Sequence, residues 1–254
     1  MPRSFRNSCS SATSRWPATS SRPVSIATIQ RLAQPLIASL RRQPLLVVLR
    51  PPTPDSCSPL LESLAEAGLF HVEIAWQPGD DWITGCRVLR QSFPGLSLGA
   101  ASIRTAEAVD AAASAGFAYA VSPVADRSLV QRAAERDLAL VPGVMTPSEV
   151  HAAMDWGCPI VKLFPAAPLG PAYWRRLREP LGGAMPFCIA AGGLTVANID
   201  RWLGAGVDAV ALGSGLLDGL GEEAAAPSTA PSTAPSAATL AAALAVLSTR
   251  CCGR

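Results

Sequence analysis

Lysine is almost missing from this 254-residue chain: of its 21 basic residues, Lys162 is the only one that is not arginine. Histidine is nearly as scarce, with only His71 and His151. That leaves little material for a Ser-His-Asp triad or a histidine metal site. The seven cysteines, at 9, 57, 86, 158, 188, 251 and 252, never fall into a CxxC spacing. An odd, scattered set argues against a disulfide framework and a zinc site and points to a reducing compartment, with the cysteines as small buried hydrophobes plus two tail thiols. Apolar runs reach only a few residues, too few to cross a bilayer. A net charge of +2 supplies no broad basic field, so neither a membrane nor nucleic acid is an expected partner. No metal and no organic cofactor is expected.

What is present suffices for a folded core. Hydrophobic residues make up 49% and charged residues 16%, which excludes disorder of the whole chain. A first helix is predicted over 27–42, with Ile29, Leu32, Leu36, Ile37 and Leu40 at helical spacing. From residue 45 short apolar strands alternate with helical stretches. Strands are predicted at 45–49, 69–75, 96–100, 117–121, 138–142, 159–164, 186–190 and 207–212. The helices between and after them fall at 56–67, 80–92, 104–115, 126–136, 146–156, near 171–179, at 195–204 and at 214–220. Eight such repeats imply a parallel sheet closed into a (β/α)8 TIM barrel, a single domain with an extra N-terminal helix. An open doubly wound sheet would want a Gly-rich turn after its first strand, and Arg50-Pro51-Pro52-Thr53-Pro54 is the opposite.

Three segments fall outside the barrel of residues 25–220. Residues 1–24 are rich in Ser and Arg, and no acidic residue precedes Asp55. They read as a disordered leader in a cytoplasmic protein, with plastid or mitochondrial targeting as the alternative. Residues 221–237 contain the repeat APSTAPSTAPS, whose proline at every fourth position forbids a helix and makes a solvated linker. Residues 238–254 read as an Ala/Leu helix and tail.

The lone lysine sits inside the apolar run Ile160-Val161-Lys162-Leu163-Phe164. A buried amine is costly unless neutral or paired, and an amine that must lose its proton does what arginine cannot. Strand alternation puts Ile160, Lys162 and Phe164 on one face, toward the lumen. On the second strand it puts Phe70, Val72 and Ile74 against helices and turns Glu73 inward with His71 and Ala75. Lys162 and Glu73 then make either a buried ion pair that fixes packing or an amine nucleophile with a carboxyl for proton transfer. Gly192-Gly193 after the seventh strand and Gly213-Ser214 after the eighth occupy the loops where barrels bind phosphate. Arg50, ending the first strand, can reach the barrel mouth and hold a carboxylate with two hydrogen bonds. His71 is expected as a satisfied lumen residue and His151 on a helix surface.

These residues carry a resemblance. Gly157-Cys158-Pro159-Ile160-Val161-Lys162-Leu163-Phe164-Pro165-Ala166, closed by Gly170, resembles the Schiff-base signature of the 2-keto-3-deoxy-6-phosphogluconate (KDPG) / 4-hydroxy-2-oxoglutarate (KHG) aldolase family. Val72-Glu73-Ile74, Gly99-Ala100-Ala101-Ser102, Val121-Ser122-Pro123, the run from Pro142 to Pro147 and Gly192-Gly193 are similar to further family segments, from about residue 28 to 218. The resemblance implies that Lys162 forms an imine and Glu73 moves protons. It also implies that Phe164, Pro123 and Ser102 line a pyruvate pocket, that Gly192, Gly193, Gly213 and Ser214 hold a phosphate, and that the protein is a homotrimer. The implied reaction is a class I, aldehyde-lyase cleavage of KDPG to pyruvate and glyceraldehyde 3-phosphate, or of KHG to pyruvate and glyoxylate. Two departures stand out: Gln77 where many members carry arginine, and Ala191 where a threonine precedes the Gly-Gly pair. The alternatives are a phosphate-binding barrel isomerase or synthase without covalent chemistry, and a catalytically impaired barrel that serves as a binding protein.

Overall fold

In the computed structural model, residues 24–182, 184–213 and Leu216 are described. The leader up to residue 23, the 221–237 repeat, the tail helix and nearly all of the expected helix at 214–220 lie outside the described residues. Helix α1 (Ile26–Arg42) opens where the Ser25 hydroxyl accepts the Thr28 N–H at 3.2 Å, satisfying one of the free donors of a first turn. Ile29, Ala33, Leu36, Ile37 and Leu40 form its buried face.

Strand and helix then alternate in the expected order: β1 (Leu45–Leu49), α2 (Ser58–Glu66), β2 (His71–Ala75), α3 (Asp80–Ser92), β3 (Ser97–Ala101), α4 (Ala106–Ser114), β4 (Tyr119–Val121), α5 (Arg127–Glu135), β5 (Ala139–Val141), β6 (Gly143–Val144), α6 (Pro147–Asp155), β7 (Ile160–Leu163), α7 (Ala172–Leu181), β8 (Phe187–Ala191), α8 (Ile199–Gly204) and β9 (Ala209–Leu212). All strand pairs are parallel, in the order β5-β4-β3-β2-β1-β9-β8-β7-β6. The two edges of that sheet, β5 and β6, are consecutive pieces of one stave. Pro142 divides them because it has no N–H to give to a ladder. Its carbonyl still accepts the Lys162 N–H at 2.9 Å, so the stave bonds β4 on one side and β7 on the other. Eight staves therefore appear as nine strands of a TIM-type barrel.

Strand alternation sorts the apolar residues into two cores. Leu45, Val47 and Leu49 of β1 join the outer core beneath the helices, while Leu46 and Val48 join the lumen core with Tyr119, Val121, Ile160 and Ile189. Ala33, Leu36, Ile37 and Leu40 of α1 belong to that same lumen core, so the extra helix stoppers the N-terminal mouth. Each fully buried Leu or Ile there contributes roughly 1.5–3 kcal/mol.

One placement differs from the sequence expectation. Phe70 was expected against helices, yet it precedes β2 and is 49% exposed. Its N–H goes to the Gln43 side chain and its carbonyl accepts from Ser97, so the residue belongs to the bottom loop, where alternation has not begun. His71 is buried as expected, its Nε2 2.8 Å from Ser39 Oγ of the stopper helix. Burial lowers its pKa to about 4, so the ring is neutral. His151 lies on α6, 3.5 Å from Asp155. Cys57, Cys86, Cys158 and Cys188 are buried and unpaired; burial pushes the thiols of the first three up to about 12, which leaves them inert at neutral pH. Among the described residues no helix is long and apolar enough to cross a membrane.

Candidate active site

Strand phase delivers the two ionisable lumen groups. On β7, Val161 and Leu163 enter the outer core while Ile160 enters the lumen core, with Phe164 packed against it. Lys162, between them, is 6% exposed. On β2, Val72 and Ile74 face the helices, and Glu73 is 1% exposed. Neither Glu73 oxygen has a hydrogen-bond partner. The pair is thus not a hydrogen-bonded ion pair that stiffens the barrel. It is an amine and a carboxyl facing one lumen at close electrostatic range.

The field at each group follows from burial first. Loss of water pushes the Glu73 carboxyl up to about 7, against the opposing pull of Lys162 and then Arg50. Loss of water also lowers the Lys162 ammonium, which Glu73 partly restores and Arg50 lowers further. An amine that sheds its proton and a carboxyl that holds one near neutrality suit a nucleophile and a proton carrier. The Lys162 Nζ lies 4.8 Å from the centroid of the Phe164 ring, so that ring walls one side of the amine. The Phe164–Pro165 peptide is cis.

The remaining expected residues gather at the same mouth, each just past a strand. Ser102 follows β3 with φ +63°, a left-handed conformation that costs a non-glycine residue roughly 1 kcal/mol and clusters at working sites. Pro123 follows β4, half-buried. Gly192 follows β8 with φ +95°, and a Cβ there would stand 2.9 Å from the Phe164 ring, so only glycine fits. Gly193 has φ +74°. The Ala166 and Ala167 N–H groups donate to the carbonyls of Ala191 and Gly192 at 2.8 and 3.0 Å, tying the loops after β7 and β8 together. The N–H groups of Gly192 and Gly193 donate to no other described residue. Gly213 lies under Arg50, whose guanidinium would stand 3.2 Å from a Cβ there. Ser214 lies outside the described residues. Ala191 is buried in the lumen core, and Gln77 donates to the Pro51 carbonyl at 2.6 Å.

Tyr119 escaped the sequence reading. Its ring enters the lumen from β4, and its hydroxyl donates to the Ser97 carbonyl at 3.4 Å. The Glu73 charge is among the causes that hold its pKa well above the usual value, after burial. Gly99, in register with Glu73, leaves the space that this ring fills. A Cβ at 99 would overlap ring atoms of Tyr119. The inward phase of Tyr119 and Val121 is the signal that could have found it. Gly99→Ala is expected to destabilise the fold by about 1–3 kcal/mol through overpacking, and by less in a Tyr119→Ala background. Urea unfolding of the four proteins checks both expectations.

Among the described residues no group of three or more His, Cys, Asp or Glu side chains could hold a metal ion. Fold and site together define a (β/α)8 barrel that holds a buried amine, Lys162, and a buried carboxyl, Glu73, in its lumen. The chain belongs to the KDPG and KHG aldolase family: the family's sequence profile, described as "Aldolase: KDPG and KHG aldolase", matches residues 36–224. The chain is 30% identical over 174 residues to the 2-dehydro-3-deoxy-6-phosphogalactonate aldolase of Escherichia coli, covering 68% of this chain and 84% of the relative. It is 29% identical over 171 residues to the 2-dehydro-3-deoxy-phosphogluconate aldolase of Haemophilus influenzae, covering 67% and 79%. The solved 2-keto-3-deoxy-6-phosphogluconate aldolase of Zymomonas mobilis superposes with a TM-score of 0.65 at 25% identity, over 83% of this chain and 95% of that one. These relatives support a carbon–carbon lyase of the aldolase type.

Proposed function

We propose that this chain is a class I aldolase that cleaves KDPG to pyruvate and glyceraldehyde 3-phosphate, or KHG to pyruvate and glyoxylate, through an imine on Lys162. The burial of a lone lysine opposite an unpartnered carboxyl carries this reading. Neutral Lys162 attacks the C2 ketone, and the carbinolamine loses water to give a protonated imine. The Glu73 carboxylate accepts the C4 hydroxyl proton. The C3–C4 bond breaks, its electron pair flows into the imine, and the aldehyde departs. The resulting enamine takes a proton at C3, returned by Glu73, and water releases pyruvate from Lys162. Arg50 receives the substrate carboxylate, while Phe164, Ser102 and Pro123 bound the pyruvate end. The N–H groups of Gly192 and Gly193, with Gly213 and Ser214, take the phosphate. The catalytic unit is the barrel of residues 25–220, acting as a homotrimer in the cytoplasm.

A phosphorylated six-carbon substrate of the other C4 configuration, 2-keto-3-deoxy-6-phosphogalactonate, is a second reading. The similarity to the Escherichia coli enzyme named above favours it. Comparing kcat/KM on the three substrates ranks them.

Borohydride added with pyruvate is expected to leave a reduced covalent adduct on the peptide containing Lys162, read by mass spectrometry. An unmodified peptide under those conditions rejects imine chemistry and favours a barrel enzyme that uses Glu73 without a covalent step.

A further inference from the structure

We propose that Gln77 is the positioning residue for Arg50, holding the stiff Arg50-Pro51-Pro52 strut so that the guanidinium faces the Lys162–Glu73 lumen. The inference rests on the reading that Arg50 receives the substrate carboxylate. Arg50 is exposed, and a free arginine on a barrel rim samples many rotamers at considerable entropic cost when it binds. The backbone beneath it is unusually constrained. Both prolines have a locked φ, and a residue that precedes proline is driven to extended geometry, which here applies to Arg50 and to Pro51. Such a strut moves as one piece, so a single anchor fixes where Arg50 projects.

Gln77 supplies that anchor from the loop after β2: its Nε2 donates to the Pro51 carbonyl at 2.6 Å, in a half-buried setting. With the strut held, the guanidinium passes over Gly213, where any side chain would crowd it. Its charge is then felt by both Glu73 and Lys162. Among the described residues no carboxylate is paired with Arg50, so the cation is left for the substrate. A neutral amide at 77 fits this role. It donates one hydrogen bond to the backbone and neither repels Arg50 nor competes for an anion.

The test is steady-state cleavage of KDPG by Gln77→Ala, the volume-matched Gln77→Met, Arg50→Ala and the double variant Arg50→Ala/Gln77→Ala, with melting temperatures for each. Both Gln77 variants should raise KM about fivefold, the worth of one hydrogen bond, with kcat within about twofold. Arg50→Ala should raise KM by roughly 10–100-fold. The double variant should be no worse than Arg50→Ala alone, because Gln77 acts only through Arg50. An unchanged KM in the Gln77 variants beside a raised KM in Arg50→Ala overturns the positioning role and leaves the Arg50 reading intact. Effects that multiply in the double variant, or a Gln77 defect in melting temperature alone, also overturn it. An unchanged KM in Arg50→Ala overturns the Arg50 reading itself and this inference with it.

Discussion

Lys162→Arg is expected to abolish cleavage, lowering kcat by about 10⁴-fold or more to the background left by binding alone. Guanidinium stays protonated at every accessible pH, so it has no lone pair to attack a ketone. It also places a permanent charge in a lumen that now holds an amine only 6% exposed, so Lys162→Arg should lose stability as well as activity. Lys162→Met separates the two effects. It fills a similar volume, carries no charge, and should be equally inactive while melting at or above the parent. The pH dependence carries the sign. Because the folded-state pKa of Lys162 lies below its ordinary 10.5, the unfolded chain binds more protons between the two values. Parent stability therefore gains from this group as pH rises through that window, and Lys162→Met loses the gain. Pyruvate release and thermal melts across pH measure both. Cleavage retained by Lys162→Met would remove the nucleophile from the mechanism.

Glu73→Gln is expected to cost about 10²–10⁴-fold in kcat, the usual worth of a positioned acid–base group, and yet to stabilise the protein above neutral pH. The carboxyl is fully enclosed and makes no hydrogen bond, so its ionised form is poorly tolerated. Its folded-state pKa of about 7 stands above the ordinary 4.5. The stability it contributes is fully present below about 4.5 and is lost as pH rises through about 7. Glutamine cannot ionise, so this decline should vanish in the variant. The parent's kcat/KM should rise between about pH 6 and 8 as Glu73 of the free enzyme ionises to accept the C4 proton, and the residual activity of Glu73→Gln should lack that limb. A pH–rate profile that keeps the same limb in Glu73→Gln would assign it to another group. The trade between stability and activity has a plain cause: the dry lumen that tunes the carboxyl also penalises its charge.

Much of this architecture was legible because period-two alternation reports which wall of a barrel stave a residue faces. Val72 and Ile74 against Glu73, and Val161 and Leu163 against Lys162, are sorted correctly by pattern alone. Strand β1 and helix α3 fall on their expected bounds. The division of the fifth stave at Pro142 was not legible, since a proline can end a strand or merely interrupt its ladder. Phe70 was misplaced because an apolar residue just before a strand has the right phase but no neighbour to cover it. Tyr119 was overlooked because its importance lies in the void left by Gly99 on the next strand, and such complementarity is not local in sequence.

The sequence by itself determined the repeat, the lumen phase of position 162 and position 73, and the rarity of lysine that marks one amine out, because each is a short-range property of the chain. Only the tertiary structure decided that α1 stoppers the lower mouth, that the amine and carboxyl stay unbonded in one dry lumen, and that Gln77 reaches the Pro51 carbonyl beside Arg50. Those outcomes depend on which distant segments exclude water together, and burial, not residue type, sets whether a side chain carries its charge.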